Sequence, residues 1–343
     1  KELRFKMGNG ALTPPEDISD EVKERSNIAL IFIKPHCSGS EKVRDFVKAE
    51  IKSAGLTVLG QGAMSGEEIE EKGCIDKHYA SIAKSAMETN PADLNPADDK
   101  KEEFKDKFSS TWEEALELGM IHNAKSASEK LGTMDGDNLV PMSGKEINSL
   151  WDKADTKVKL APGLYVANIG EDEPLYIING FYMAMREKYV SGDGIYYYVV
   201  GFDSTVISWA KFRGEIIGAT DPTAAPEGSI RGKMLATWEG EEGLDLDSAP
   251  NVGDNGVHAS AGPIEGLKER TVWLGYEAKD DPFGEHLIAW TGGKAETIAP
   301  WLDDAVVAEK KSYDLEGKIF DLTEDKDTPW AVQFCNNLAL AGE

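Results

Sequence analysis

The stretch NVGDNGVHASAGPIEGLKER, Asn251–Arg270, surrounds His258 with residue types able to aim and polarise an imidazole: an amide at Asn255, a hydroxyl at Ser260 and, further on, a carboxylate at Glu269. A neutral imidazole in such a setting is a nucleophile able to carry a phosphoryl group. The same histidine is also a reasonable polar residue where a strand meets a turn. Two cations elsewhere bear on the choice. Lys34 follows the apolar run NIALIFI, and Arg231 lies at the end of ATDPTAAPEGSIRGKML, a stretch rich in Pro, Gly and small residues that also contains Thr220. A loop of that length inside a domain is either functional or disordered. The other histidines, His36, His78, His122 and His286, show no H-E-x-x-H spacing, and no metal is assigned to them.

These residues need elements to position them. Residues 27–33 have the length and Ile content of a buried strand that stops at Lys34-Pro35, where proline ends the ladder. Ser40 then caps a helix with Val43, Phe46, Val47, Ile51 and Ala54 at helical spacing, closed by Gly55. LTVLGQGAM reads as a second strand, and SGEEIEEKG and CIDKHYASIAKSAM as two short helices, the second containing Tyr79. GIYYYVVG, 194–201, is the most strand-like segment, and Asp203 or Ser204 is expected to open a helix carrying Val206, Ile207, Ala210 and Phe212. GVHAS is a short strand, and Pro263 marks the first turn of the helix that contains Glu269.

Between 90 and 187 the character changes. NPADLNPADDKKEEFKDKF is charged and marked by proline, as surface insertions are; a helix follows from the capping box Ser110-Thr111-Trp112-Glu113, and another covers Ser143–Ala154. GLYVANIG and PLYIING read as strands, and FYMAMREKYV as a helix returning to the main body. Residues 1–25 read as an extended arm, and those beyond Trp273 show little periodicity.

The chain has 343 residues, 41% of them hydrophobic, and a formal charge of −25. The composition is that of a globular protein with a substantial core. Its charge repels nucleic-acid phosphates and anionic lipid, so neither is an expected partner, and an anion site has to be local. No apolar run reaches membrane-spanning length. Cys37, Cys74 and Cys335 are widely separated and cannot all pair, which points to a reducing compartment, with the cytoplasm as the expectation.

Four features follow in order: Lys34-Pro35, His78-Tyr79, the loop GATDP…GSIRG and N-x-x-H-x-S at Asn255–Ser260. Together they resemble the nucleoside diphosphate kinase family over residues 26–89 and 188–273. The resemblance implies an α+β fold: a ferredoxin-like βαββαβ sandwich with an antiparallel sheet, interrupted by an inserted subdomain at 90–187 and followed by a C-terminal extension at 274–343. It implies His258 as the nucleophile, supported by Ser260 and Glu269, and Lys34, Tyr79, Arg213, Thr220, Arg231 and Asn255 as contacts to nucleotide phosphate or sugar. It further implies Mg²⁺ held by the nucleotide's phosphates. Nucleoside tri- and diphosphates are the implied partners, beside a second copy or a larger assembly reached through the added segments. The reaction implied is transfer of a γ-phosphoryl group through phosphohistidine, in which positioning and charge stabilisation dominate. The sequence departs from the pattern in several places. The family's second loop arginine falls on Gly214, one residue after Arg213; the acidic residue after the histidine motif is Ala261; the aspartate after Lys-Pro is His36; and the phenylalanines that sandwich the base have no counterpart after Tyr79. A scaffold or assembly subunit that retains nucleotide binding is the alternative.

Overall fold

The computed structural model describes residues 25–341 except 162, 171, 172 and 241, so all but the last residue of the expected N-terminal arm lies outside the described residues. Two compact units divide the chain: one holds the residues up to Gly66 and from Asp193 onward, the other Glu67–Gly192.

The first unit is built on a four-stranded sheet of β1 (Ser26–Ile33), β2 (Thr57–Met64), β3 (Ile195–Asp203) and β4 (Val257–Ala259), in the spatial order β4-β1-β3-β2 with every pair antiparallel. Helix α1 (Glu41–Ser53) connects β1 to β2, and a helical segment with α2 (Ile230–Ala236) lies between β3 and β4. Strand β1 is a continuous apolar run because both of its faces are covered. Ile31 and Ile33 join Val200 and Val257 in a core with Val43, Val47 and Ile51 of α1. Burial of each of those three α1 side chains contributes roughly 2 kcal/mol. The opposite face, which carries Ile28, Leu30 and Phe32, packs under α3 (Pro263–Leu274), with the Phe32 and Trp273 ring centroids 4.9 Å apart.

Ser40 caps α1 by accepting from the Val43 amide at 3.3 Å, as its type predicts. The helix after β3 starts later than its apolar spacing suggests. Asp203 folds its own turn, accepting from the Thr205 amide at 2.9 Å and hydroxyl at 2.7 Å, which removes these residues from the helix. Ser208 is the actual cap, and the turn continues as a π-helix over Phe212–Ile217.

Beyond α3 the extension is more ordered than its periodicity suggests. It contains helices Pro282–Trp290, Ala295–Leu302, Ile319–Thr323 and Thr328–Ala341 and a hairpin of Val306–Glu309 with Leu315–Lys318. A buried ion pair ties it to the sheet: Arg270 donates to both Asp281 oxygens, at 2.6 and 3.0 Å, and to the Ile28 carbonyl at 2.6 Å.

The second unit has its own four-stranded sheet, Ile121–Asn123, Tyr176–Ile178, Leu164–Asn168 and Lys157–Ala161 in spatial order, the first pair parallel and the others antiparallel. Phe104, Trp112, Val158, Val166 and Tyr176 pack on it. The expected capping box begins one residue later than its sequence pattern: Thr111 and Glu114 exchange bonds of 3.1 and 3.0 Å. The acidic stretch after β2 forms not two helices but three, Gly66–Lys72, Cys74–His78 and Ala80–Met87, since Tyr79 sits outside helical geometry between the last two. Residues 67–89, grouped by sequence with the strands, pack in this second unit. Both units combine helices with largely antiparallel sheets, an α+β architecture.

Candidate functional site

Strand alternation puts His258 where a carboxylate can reach it. Val257 enters the α1-side core, so His258, the next residue, faces α3, paired in register with Phe32. The imidazole lies on the Phe32 ring at 4.6 Å between centroids and 23° between planes. Its side chain keeps 18% exposure.

Glu269, only 2% exposed, spans the histidine and the serine. Its Oε1 is 2.5 Å from His258 Nε2, and its Oε2 accepts from Ser260 Oγ, also at 2.5 Å. The Ser260 oxygen accepts from the Leu30 amide at 2.9 Å as well, so the hydroxyl is fixed by β1. Trp209 Nε1 donates to the Ser260 carbonyl at 3.2 Å. Helix α3 comes this close because Gly266 has no side chain: a Cβ there would sit 3.2 Å from Ser260 Oγ. A carboxylate that accepts a hydrogen bond from Nε2 favours the tautomer with its proton on that nitrogen.

The loop residues meet around the N-terminal end of β4. Lys34 continues the β1 ladder, its amide donating to the Gly256 carbonyl at 2.9 Å, while Nζ donates to the Gly253 carbonyl at 2.9 Å. Arg231 donates to the carbonyls of Gly218 and Val257, both at 2.8 Å. Asn255 is buried, and its Nδ2 donates to the carbonyls of Thr220, at 2.9 Å, and Val252, at 3.3 Å. With the amide so oriented, Asn255 Oδ1 is buried and has no hydrogen-bond partner among the described residues. Thr220 has its side chain exposed. Gly218, at φ +92°, closes this loop, and a Cβ there would collide with Ser229 Oγ, which caps α2 by accepting from the Gly232 amide at 3.1 Å. Lys34, Thr220, Arg231, Asn255 and His258 thus belong to one hydrogen-bonded region. Cys37 lies beneath it, its thiol pushed up to about 12 by burial, with the charge of Lys34 opposing.

Two expected contacts are placed differently. Arg213 Nη1 pairs with Glu324 at 2.6 Å and Asp325 at 2.9 Å, carboxylates of the C-terminal extension. Tyr79 belongs to the second unit, where it packs against the core cluster that includes Ala83, Ala127 and Tyr182 and meets His78 edge-on at 4.4 Å.

Other residues at the site carry no motif. Phe32 could have been found from the alternation of β1 opposite Ile31 and Ile33. Glu265 lies one helical turn before Glu269, a spacing that puts both carboxyls on one face of α3. Burial first, and then the Glu269 charge, raise Glu265 to about 8; Arg213 opposes and Glu324 adds to the rise. Nothing in the sequence pointed to Glu324 or Asp325.

No protein-family model and no curated protein matches the chain. Among known structures, 15 chains match. One is an NDP kinase from Pyrobaculum aerophilum, 16% identical, covering 74% of this chain and 98% of that one, with a TM-score of 0.32. A score this low carries no argument, and the fold stands on its own strand order.

Proposed function

We propose that the protein is a nucleoside diphosphate kinase-like phosphotransferase in which His258 carries the γ-phosphoryl group between nucleotides. The observation that bears most weight is the Glu269 carboxylate bridging His258 Nε2 and Ser260 Oγ, each at 2.5 Å. Supporting it, the order β4-β1-β3-β2, with both helical crossovers contributing to one core, is what a ferredoxin-like βαββαβ sandwich would have. In this reading Nδ1 of the neutral ring attacks the γ-phosphorus as the bond to the leaving diphosphate breaks. Glu269 holds the Nε2 proton and offsets the positive charge that develops on the ring. The reverse step passes the group to a second nucleoside diphosphate. Lys34 and Arg231 supply cationic charge, and the buried Asn255 Oδ1 offers an acceptor to a sugar hydroxyl. Magnesium bound to the nucleotide's phosphates would neutralise part of their charge. Lys34, Arg231 and Asn255 are not anionic oxygen donors, and Ala261 offers no side-chain ligand, so the nucleotide itself would hold the ion.

A second reading, a nucleotide-binding scaffold that turns over slowly or not at all, is favoured by one specific observation. Lys34 Nζ and both Arg231 terminal nitrogens donate to backbone carbonyls, so part of their donor capacity is already used in holding the loop and a phosphate shares them with those carbonyls. Incubation with γ-labelled ATP and Mg²⁺ separates the readings. The transferase gives an acid-labile, base-stable label that a diphosphate chases off and His258→Ala abolishes. Saturating nucleotide without label rejects the transferase and leaves the scaffold.

A further inference from the structure

We propose that the turn at residues 323–327 of the C-terminal extension positions the His258–Glu269 pair by bracing the connection between their two elements, with Trp209 and Asp327 as the positioning residues. Its consequence for turnover rests on the phosphotransfer reading; its effect on the His258–Glu269 bond does not.

His258 lies on β4 and Glu269 on α3, and residues 260–262 join the two. The carboxylate meets the imidazole at 2.5 Å only while that short connection keeps one conformation. Its β1 side is held by Ser260, whose amide donates to the Leu30 carbonyl at 3.0 Å and whose hydroxyl oxygen accepts from the Leu30 amide at 2.9 Å. The carbonyls at 260 and 261 are held from elsewhere. That of Ser260 accepts from Trp209 Nε1 at 3.2 Å, and that of Ala261 accepts from the Asp325 amide at 3.0 Å. Gly262 lies against the same turn, since a Cβ there would be 2.6 Å from the Thr323 carbonyl oxygen.

One turn governs both donors. It supplies the Asp325 amide directly and sets Trp209 through Asp327. Asp327 Oδ1 accepts from the Trp209 amide and from Asn27 Nδ2, each at 2.7 Å, and Asn27 Oδ1 accepts in return from the Thr328 amide at 2.8 Å. Asn27 is fully buried near the start of β1, so the turn is anchored on the sheet itself. Trp209 directly follows the Ser208 cap, and its amide is one that a helical turn leaves without an internal partner, which a carboxylate suits. Its indole is buried beside Phe202 and Phe212, at 5.7 and 6.2 Å between centroids. On the other flank Glu324 and Asp325 pair with Arg213 of the π-helix at 2.6 and 2.9 Å. Ser260 is itself fully buried, so a carbonyl deprived of the indole N–H is costly and the connection shifts to find another donor. That shift moves α3 relative to β4 and lengthens the bond between Glu269 and the ring.

The test compares the full chain with Trp209→Phe, which removes the indole N–H and keeps an aromatic ring, Asp327→Ala, which removes the acceptor for the Trp209 amide, and Asp327→Asn, which keeps one. The first readout is the His258 ring N–H proton in ¹H–¹⁵N spectra of histidine-labelled protein, assigned by its loss in His258→Gln. This proton moves upfield as its hydrogen bond lengthens. Trp209→Phe and Asp327→Ala should move it upfield, and Asp327→Asn should keep the native position. The second readout is single-turnover labelling from γ-labelled ATP with Mg²⁺. At saturating nucleotide the rate should fall about tenfold in the first two variants, short of the roughly 100-fold that a full ångström of misplacement costs. Half-saturation should stay unchanged, because Lys34, Arg231 and Asn255 are held at the opposite end of β4. A lower urea midpoint with the proton in its native position and labelling at the native rate shows a merely structural contact and overturns the proposal. An Asp327→Asn chain that behaves as Asp327→Ala does overturns it too. Should Asp327→Ala fail to fold, Trp209→Phe decides alone. Absence of label in the native chain rejects the transferase and leaves the proton shift to decide this inference.

Discussion

Glu269→Gln isolates the charge of the central carboxylate from its shape. The amide is nearly isosteric, and the surroundings accept it in one orientation. With its oxygen toward His258 Nε2, its NH₂ donates to Ser260 Oγ, which also accepts the Leu30 amide at 2.9 Å and can turn its proton to the Leu30 carbonyl at 3.3 Å. Every polar atom then keeps a partner, so little stability should be lost. What is lost is the charge. A hydrogen bond to an ionised group contributes about 1.5–3 kcal/mol against about 0.5–1.5 for a neutral one, so the attacking ring loses roughly 1–2 kcal/mol of support as it becomes positive. That corresponds to a rate of phosphohistidine formation lower by about 5- to 30-fold. Glu269→Ala also leaves the ring without this acceptor and Ser260 with only the longer bond to the Leu30 carbonyl, and should cost more. The assay is single-turnover labelling from γ-labelled ATP, with near-ultraviolet dichroism to verify the fold. A correctly folded Gln variant that labels at the native rate would refute the view that this carboxylate's charge supports the transfer.

Stability should also depend on Glu265. Its folded value of about 8 lies above the ordinary 4.5, so the stability it contributes is complete below 4.5 and is lost as pH rises through 8, on the order of a few kcal/mol. Urea midpoints should fall across that window in the native chain and flatten in Glu265→Gln. Arg270→Met leaves the fully buried Asp281 carboxylate uncompensated and should cost about 3–5 kcal/mol in urea unfolding. Adding Asp281→Ser, which keeps a cap for the amides of Phe283 and Gly284, should recover a large part of that loss. Gly262→Ala introduces the clash with Thr323 at an extended φ of −166° that alanine tolerates, so the cost of about 1–3 kcal/mol is steric, and hydrogen exchange at the Asp325 amide should accelerate. At Gly214 an added Cβ meets nothing within 4 Å; Gly214→Arg should fold normally and, under the transferase reading, raise labelling at limiting ATP by about tenfold or more, an unchanged rate counting against a phosphate site there.

The local signals of the sequence were strong where one physical rule acts alone. Ser40, Pro35 and Pro263 mark ends of elements through backbone chemistry that needs no tertiary partner, and each stands at an element boundary. The run from Ile28 to Ile33 is apolar throughout because α1 covers one face and α3 the other, a covering visible in sequence only as missing alternation. Asp203 shows the limit of periodicity. Its carboxylate satisfies Thr205 locally, and that turn removes Val206 and Ile207 from a helix to which their spacing assigns them. The extension was opaque for a similar reason: apart from Thr328–Ala341 its helices run nine residues or fewer, and contacts with α3 supply what periodicity does not.

Arg213 shows why a site can be legible in its centre and not at its edge. His258, Ser260 and Glu269 sit on β4 and the helix that directly follows it, so their relation is nearly a local property of one strand, one turn and one helix. A one-residue displacement between Arg213 and Gly214 turns the side chain to another face of the π-helical turn, enough to choose a different neighbour. The neighbour chosen is a carboxylate pair more than a hundred positions away, which no local pattern announces. The guanidinium that the resemblance casts as a phosphate ligand is thereby committed to carboxylates behind the histidine. Its removal should therefore disturb the charge balance of Glu265 and Glu269 before it disturbs nucleotide affinity.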